Sequence, residues 1–147
     1  MKYKSKEEQE QYERFHYSEE ERKKLEGYDF FQKQELSAKE SDIPSVLAWG
    51  QKSGSTPLVS VILTTYKRPQ MLREALESVL MQKGFGDFEI IVADNEGADL
   101  QVKTDTHRLI EEINDKRILY YRHAKTVANN FDRGAMLADG EWICFLH

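Results

Sequence analysis

An α/β fold, a mostly parallel sheet with flanking helices, is predicted by two features of the sequence. Short apolar runs rich in β-branched residues recur between Leu58 and Leu146, each about the length of one strand. The segments between them carry apolar residues at helical spacing, so strand and helix alternate, as parallel strands joined by crossovers require. Such connections are nearly always right-handed, which leaves few topologies.

The first run, LVSVILTT (residues 58–65), is almost continuously apolar, as expected of a strand covered on both faces. Pro69 follows, and its fixed φ and missing N–H suit the first turn of a helix. Leu72, Ala75, Leu76, Val79 and Leu80 then share one helical face. FEIIVAD (88–94) reads as a second buried strand, and Val102, Thr106, Leu109, Ile110 and Ile113 mark a second helix. RILYYR (117–122) is a third strand, and Phe131, Gly134, Ala135 and Ala138 line a third helix. The fourth strand is EWICFL (141–146), read as buried, with Cys144 a small core residue and Trp142 in packing.

Residues 1–55 have another texture, dense in Glu and Lys, with Tyr12, Phe15, Tyr17, Tyr28, Phe30 and Phe31 scattered among them. Ser18 and Glu21 have capping-box spacing and open a short helix through Leu25, ended near Gly27. The aromatics supply apolar area that a solvated linker would not carry. The segment therefore reads as a helical extension that docks on another surface, a partner chain or a second copy, with a mobile arm as the alternative and GQKSGSTP (50–57) as the linker. Residues 56–147 form the α/β part.

A net charge of −5 argues against a general nucleic-acid binder. No apolar run approaches the roughly 20 residues needed to cross a bilayer. MKYKSKEEQEQYERF has no apolar stretch behind its lysines and is not a secretory signal, so the expected location is the cytoplasm. The single Cys144 excludes an internal disulfide framework and a Cys-rich zinc site.

In open parallel sheets, ligands sit beyond the carboxyl ends of the strands. Those ends carry Thr64-Thr65-Tyr66-Lys67-Arg68, then Asp94-Asn95-Glu96-Gly97, then residues 123–132 with Lys125, Asn129 and Asn130. An aromatic for a base, a carboxylate or amide for its hydrogen-bonding edge and cations for phosphates together suit a nucleotide. The first turn lacks Gly-x-Gly-x-x-Gly, and there is no Walker A sequence, no Gly-x-Ser-x-Gly and no His-Glu-x-x-His. Dinucleotide binding, P-loop chemistry and the common hydrolase readings are thereby set aside.

PLVSVILTTYKRPQMLREALESVLMQ, FEIIVADN and GAMLADGEWICFLH, in that order, resemble the nucleotide-binding half of a family 2 glycosyltransferase with the GT-A, Rossmann-like fold. The resemblance covers residues 57–147 and implies transfer of a sugar from a UDP-sugar to a hydroxyl acceptor, with inversion. By position it implies that Thr64 and Tyr66 contact uridine and that Asp94 accepts from the uracil N3–H. Arg68, Lys67 and Asn95 stand at neighbouring turn positions. Asn130 is the leading candidate in a loop that closes over the diphosphate or sugar. A Mn²⁺ or Mg²⁺ ion is implied, held by an Asp-x-Asp motif expected directly after His147. The metal ligands, catalytic base and acceptor lobe are thus expected beyond this chain, which alone would be close to inactive. Two positions depart from the pattern: Ala93 precedes Asp94 where many members carry a second acid, and Asp132 stands where an asparagine is common.

Structural roles compete at each position. Thr64 and Thr65 can simply end a strand, Tyr66 can be a surface tyrosine, and Asp-Asn favours tight turns. A signalling receiver module would need an aspartate after RILYYR and an acidic pair after the first strand, and neither is present.

Overall fold

The computed structural model describes residues 43–124 and 130–146, together with residues 5–8, 10, 11 and 18. The chain divides into two units, Met1–Asp42 and Ile43–His147. In the first, residues 6–8 are helical, and Ser5 Oγ accepts from the Glu8 N–H at 3.2 Å in the manner of an N-cap. The helix expected from Ser18 to Leu25 and the aromatic residues 12–31 lie outside the described residues, apart from exposed Ser18.

The second unit runs β1 (Val46–Trp49), β2 (Val59–Thr65), α1 (Pro69–Leu80), β3 (Phe88–Asp94), α2 (Asp105–Ile113), β4 (Ile118–Arg122), α3 (Asn130–Leu137) and β5 (Trp142–Leu146). Its sheet has the order β1-β4-β3-β2-β5. The pairs β2–β3, β3–β4 and β2–β5 are parallel, as the alternation of elements predicts. β1 pairs antiparallel with β4, with a register irregularity between Leu47 and Trp49. Sequence reading gives no strand there and sets the boundary near residue 55. VLAW is too short to show a period, and such an edge segment becomes a strand through its pairing partner.

Strand alternation sorts the core into two layers. On one face Val61, Leu63, Ile90, Val92, Ile118 and Tyr120 pack against Leu72, Leu76 and Val79 of α1 and Leu109 and Ile110 of α2. On the other, Ile62, Ile91, Leu119 and Tyr121 pack against Ala135, Leu137 and Ala138, in and just after α3. Gly134 lets α3 sit close to the sheet, because a Cβ there would lie 2.3 Å from Ile62 Cγ2.

Pro69 opens α1 as expected. α2 starts later than the apolar spacing suggests. Thr104 is its N-cap, with Oγ1 accepting from the His107 N–H at 3.1 Å, and Val102 lies before the helix and is exposed. The capping bond satisfies an amide that a longer helix would have to satisfy otherwise.

β5 differs from its sequence reading. It lies at the sheet edge, and Trp142 is 69% exposed, with Ile143, Cys144 and Phe145 also exposed. Cys144 is therefore not a core residue here, and Trp142 is not buried packing. The apolar run reflects a strand built to be covered, while among the described residues only β2 pairs with it. A polar knot fixes its start: Glu89 Oε1 accepts from Ser60 Oγ at 2.5 Å and from the Asp139 N–H at 2.8 Å. Ser60 Oγ in turn accepts from the Gly140 N–H at 2.8 Å. Among the described residues, no helix is long and apolar enough to cross a membrane.

Candidate functional site

The exits of β2, β3 and β4 are stitched together by backbone hydrogen bonds. The Asn95 N–H donates to the Thr65 carbonyl at 3.2 Å, the His123 N–H to the Asp94 carbonyl at 3.0 Å, and the Gly97 N–H to the His123 carbonyl at 3.0 Å. Both turns need unusual backbone: Lys67 has φ 52° and Gly97 has φ 103°. A left-handed residue in each turn folds the chain back over the strand ends instead of letting it run outward. The result is a cleft of about 190 Å³ lined by Tyr66, Lys67, Asn95, Glu96 and Gly97. The Lys67 ammonium lies 5.5 Å from the centre of the Tyr66 ring.

Asp94 sits one residue behind this cleft and has no solvent-accessible surface. Its Oδ2 accepts from the Tyr120 hydroxyl at 2.6 Å, and its Oδ1 accepts from the Glu96 N–H at 3.0 Å. Burial pushes its carboxyl up to about 6, and the nearby Glu96 charge adds to this. The Tyr120 hydrogen bond, the Glu96 amide and the Arg122 guanidinium pull the other way. Tyr120 is raised as well, by burial first and then by the Asp94 charge beside it. The phenol is thus the proton donor, and Asp94 is an ionised acceptor above about pH 6.

The other predicted residues fall elsewhere. Thr64 pairs with Ala93 in register and Thr65 with Asp94, so it is Thr65 that shares a sheet face with Asp94. Thr64, Thr65 and Arg68 line a second, larger cavity of about 400 Å³ between β2, α1 and the end of β5, together with Leu63, Leu72 and Leu146. Asn130, at the start of α3, has its Oδ1 2.7 Å from His123 Nε2. Tyr66 and Asn95 are therefore brought into one cleft with Asp94 behind them, while Thr64, Arg68 and Asn130 are not on its lining. Lys125 and His147 lie outside the described residues.

Sequence reasoning notes Thr65, Glu96 and His123 at the strand ends without placing them in the site, and it misses Tyr120. Thr65 Oγ1 is buried beside Asp94 with no partner among the described residues. Glu96, rather than Asp94, gives the cleft its carboxylate, and its Oε2 accepts from the Thr106 hydroxyl at 3.3 Å. Tyr120 comes from the middle of a strand that reads as plain core. His123 is fully buried, and burial holds it below the usual histidine range, so it is neutral at pH 7. Strand parity would have separated Thr65 from Thr64, but only once the register with β3 was known.

Among the described residues, no three His, Cys, Asp or Glu side chains gather to hold a metal ion. These residues therefore do not by themselves fit the expected Mn²⁺ or Mg²⁺, and no step is assigned to one. What the arrangement offers is a small polar cleft with an aromatic face, an amide, a carboxylate and the Lys67 cation, its Glu96 amide tied to the buried Asp94 carboxylate.

Residues 60–147 match the model of glycosyl transferase family 2. Over 95 residues the chain is 33% identical to the GalNAc(5)-diNAcBac-PP-undecaprenol beta-1,3-glucosyltransferase of Campylobacter jejuni subsp. jejuni, covering 61% of this chain and 29% of that protein. It is also 38% identical over 72 residues to the uncharacterized protein y4gI of Sinorhizobium fredii, covering 48% of this chain and 8% of that one. The chain thus spans under a third of the length of these curated relatives. With the parallel sheet and its flanking layers, the match over residues 60–147 establishes that the chain belongs to glycosyl transferase family 2.

Proposed function

We propose that this chain binds the nucleotide of a UDP-sugar, as the donor-recognition part of an enzyme that passes the sugar to a hydroxyl acceptor with inversion. The observation that carries this reading is the joining of the β2 and β3 exits around one cleft, whose Glu96 amide donates to the buried Asp94 carboxylate. A uracil ring has an aromatic face and one N–H donor. Tyr66 offers the face. Asp94 offers the acceptor, because Oδ2 accepts from the Tyr120 hydroxyl and Oδ1 from the Glu96 amide, and a carboxylate oxygen can accept two bonds. Asp94 has no solvent-accessible surface, so reaching it requires the Asn95–Glu96 turn to move.

Lys67 and Arg68 are exposed next to the cleft, where they would meet phosphate oxygens. Asn130, tied to His123 at the end of β4, would approach the diphosphate or sugar from the α3 side. Catalysis would then demand two further parts, a base for the acceptor proton and neutralisation of the leaving diphosphate, for which Mn²⁺ or Mg²⁺ is the expected ion. The Campylobacter relative's name supports a glucosyl donor and an acceptor glycan on a polyprenyl diphosphate as the substrate class.

Calorimetry with UDP on the chain, on Asp94→Asn and on Tyr66→Ala tests the reading. Loss of a base stack and loss of the acceptor should each weaken binding by about tenfold or more. Equal affinity in all three would remove both residues from the site.

A further inference from the structure

We propose that Tyr120 is a positioning residue for nucleotide recognition, its hydroxyl fixing the Asp94 carboxylate so that Oδ1 stays tied to the Glu96 amide and the turn over the cleft keeps its shape. This rests on the nucleotide reading above.

Three observations carry it. First, Tyr120 and Asp94 are on the same sheet face, since Tyr120 pairs with Val92 and Arg122 with Asp94 in register. The phenol reaches one pairing step along the sheet to Asp94 Oδ2 at 2.6 Å, with both residues fully buried. Second, the phenol itself is held. His107 of α2 meets the Tyr120 ring edge-on at 5.7 Å between centres, and Thr104 Oγ1, the α2 N-cap, lies 3.4 Å from its oxygen. Third, the far side of the carboxylate holds the turn: Oδ1 accepts from the Glu96 N–H, and Glu96 lines the cleft while its own carboxylate receives the Thr106 hydroxyl from α2. The start of α2 and the cleft turn are therefore joined through Tyr120 and Asp94.

A carboxylate with no solvent-accessible surface takes its direction from the donors packed around it, here the Tyr120 hydroxyl and the Glu96 amide. Tyr120 also biases its ionisation. The charged or titratable groups around Asp94 are Tyr120 and Arg122 from β4 and Glu96 from the turn, with His107 of α2 behind the phenol. Glu96 favours the protonated acid, whereas Tyr120 and Arg122 favour the carboxylate that a uracil N–H needs.

The experiment follows the Asp94 side chain by carbon-detected NMR titration, and UDP affinity by calorimetry between pH 5 and 8. It compares the chain with Tyr120→Phe, which keeps the ring against His107, and with Asp94→Asn. In Tyr120→Phe the Asp94 midpoint should move above its wild-type value. The pH at which UDP binding is lost on acidification should move up with it, and affinity at pH 6.5 should fall about tenfold. A second measurement uses chain grown with 3-fluorotyrosine, whose more acidic phenol should lower the Asp94 midpoint without changing side-chain shape. An Asp94 midpoint unmoved by both changes overturns the positioning role. So does UDP binding that is lost in Asp94→Asn but intact, with an unshifted pH profile, in Tyr120→Phe. UDP affinity unaffected by Asp94→Asn overturns the nucleotide reading itself, and the positioning role with it.

Discussion

The Tyr120 hydroxyl donates to Asp94 Oδ2 at 2.6 Å, and neither residue has solvent-accessible surface. A carboxylate in such a place is held by few donors and opposed by its own burial.

The buried charge should cost stability at neutral pH. Asp94 has an ordinary value of 3.8 and is raised to about 6 in the fold, a difference equivalent to roughly 3 kcal/mol against the ionised form. Between those values the folded chain binds the proton more tightly than the unfolded chain. The Asp94 contribution to stability is therefore greatest below 3.8 and falls as pH rises through about 6. Asp94→Asn should unfold at higher denaturant than wild type at pH 7.5, by about 1–3 kcal/mol, with the gain gone near pH 4. Urea titrations of both proteins at the two pH values check this.

Thr65 offers a cleaner separation of fold from function. Its hydroxyl is buried without a partner among the described residues, so Thr65→Val keeps the shape and removes an unsatisfied group. The variant should gain about 1 kcal/mol in thermal or urea unfolding. If the hydroxyl serves the ligand, UDP affinity in the same protein should drop.

Gly134 is where α3 meets β2 without a side chain between. An alanine would place its Cβ 2.3 Å from Ile62 Cγ2, a branched side chain enclosed in the core. Gly134→Ala should destabilise the chain by about 1–3 kcal/mol, and adding Ile62→Ala should recover part of that loss. Equilibrium unfolding of the single and double variants gives the coupling.

The β5 edge should make the chain associate. Trp142, Ile143 and Phe145 are exposed on a strand that, among the described residues, pairs with β2 alone, the arrangement that invites strand-to-strand contact. Sedimentation velocity should show mass rising with concentration, and Ile143→Lys should suppress it. Concentration-independent monomer in both would contradict this.

The α/β order, the parallel pairing and the start of α1 at Pro69 were legible in the sequence because they depend on periodicity and local backbone preference. Other features were not. β1 takes its structure from β4, α2 begins where Thr104 caps it, and β5 carries a core-like composition on an exposed edge. Within the site, Asp94 and Tyr66 stand at positions that the strand ends announce. Tyr120 stands in mid-strand, and its meaning appears only when β3 and β4 are set in register. Thr64 and Thr65 are adjacent in sequence, yet only Thr65 shares a sheet face with Asp94, which no composition can reveal.

The most direct test is a two-dimensional amide NMR titration of the chain with UDP. The prediction is that shifts concentrate in Tyr66, Lys67 and Arg68 and in Asn95, Glu96 and Gly97, two segments far apart in sequence that respond together. Shifts confined to the α1–β5 cavity around Met71, Ala75 and Leu146, or no response at millimolar UDP, would contradict a uridine cleft over Asp94.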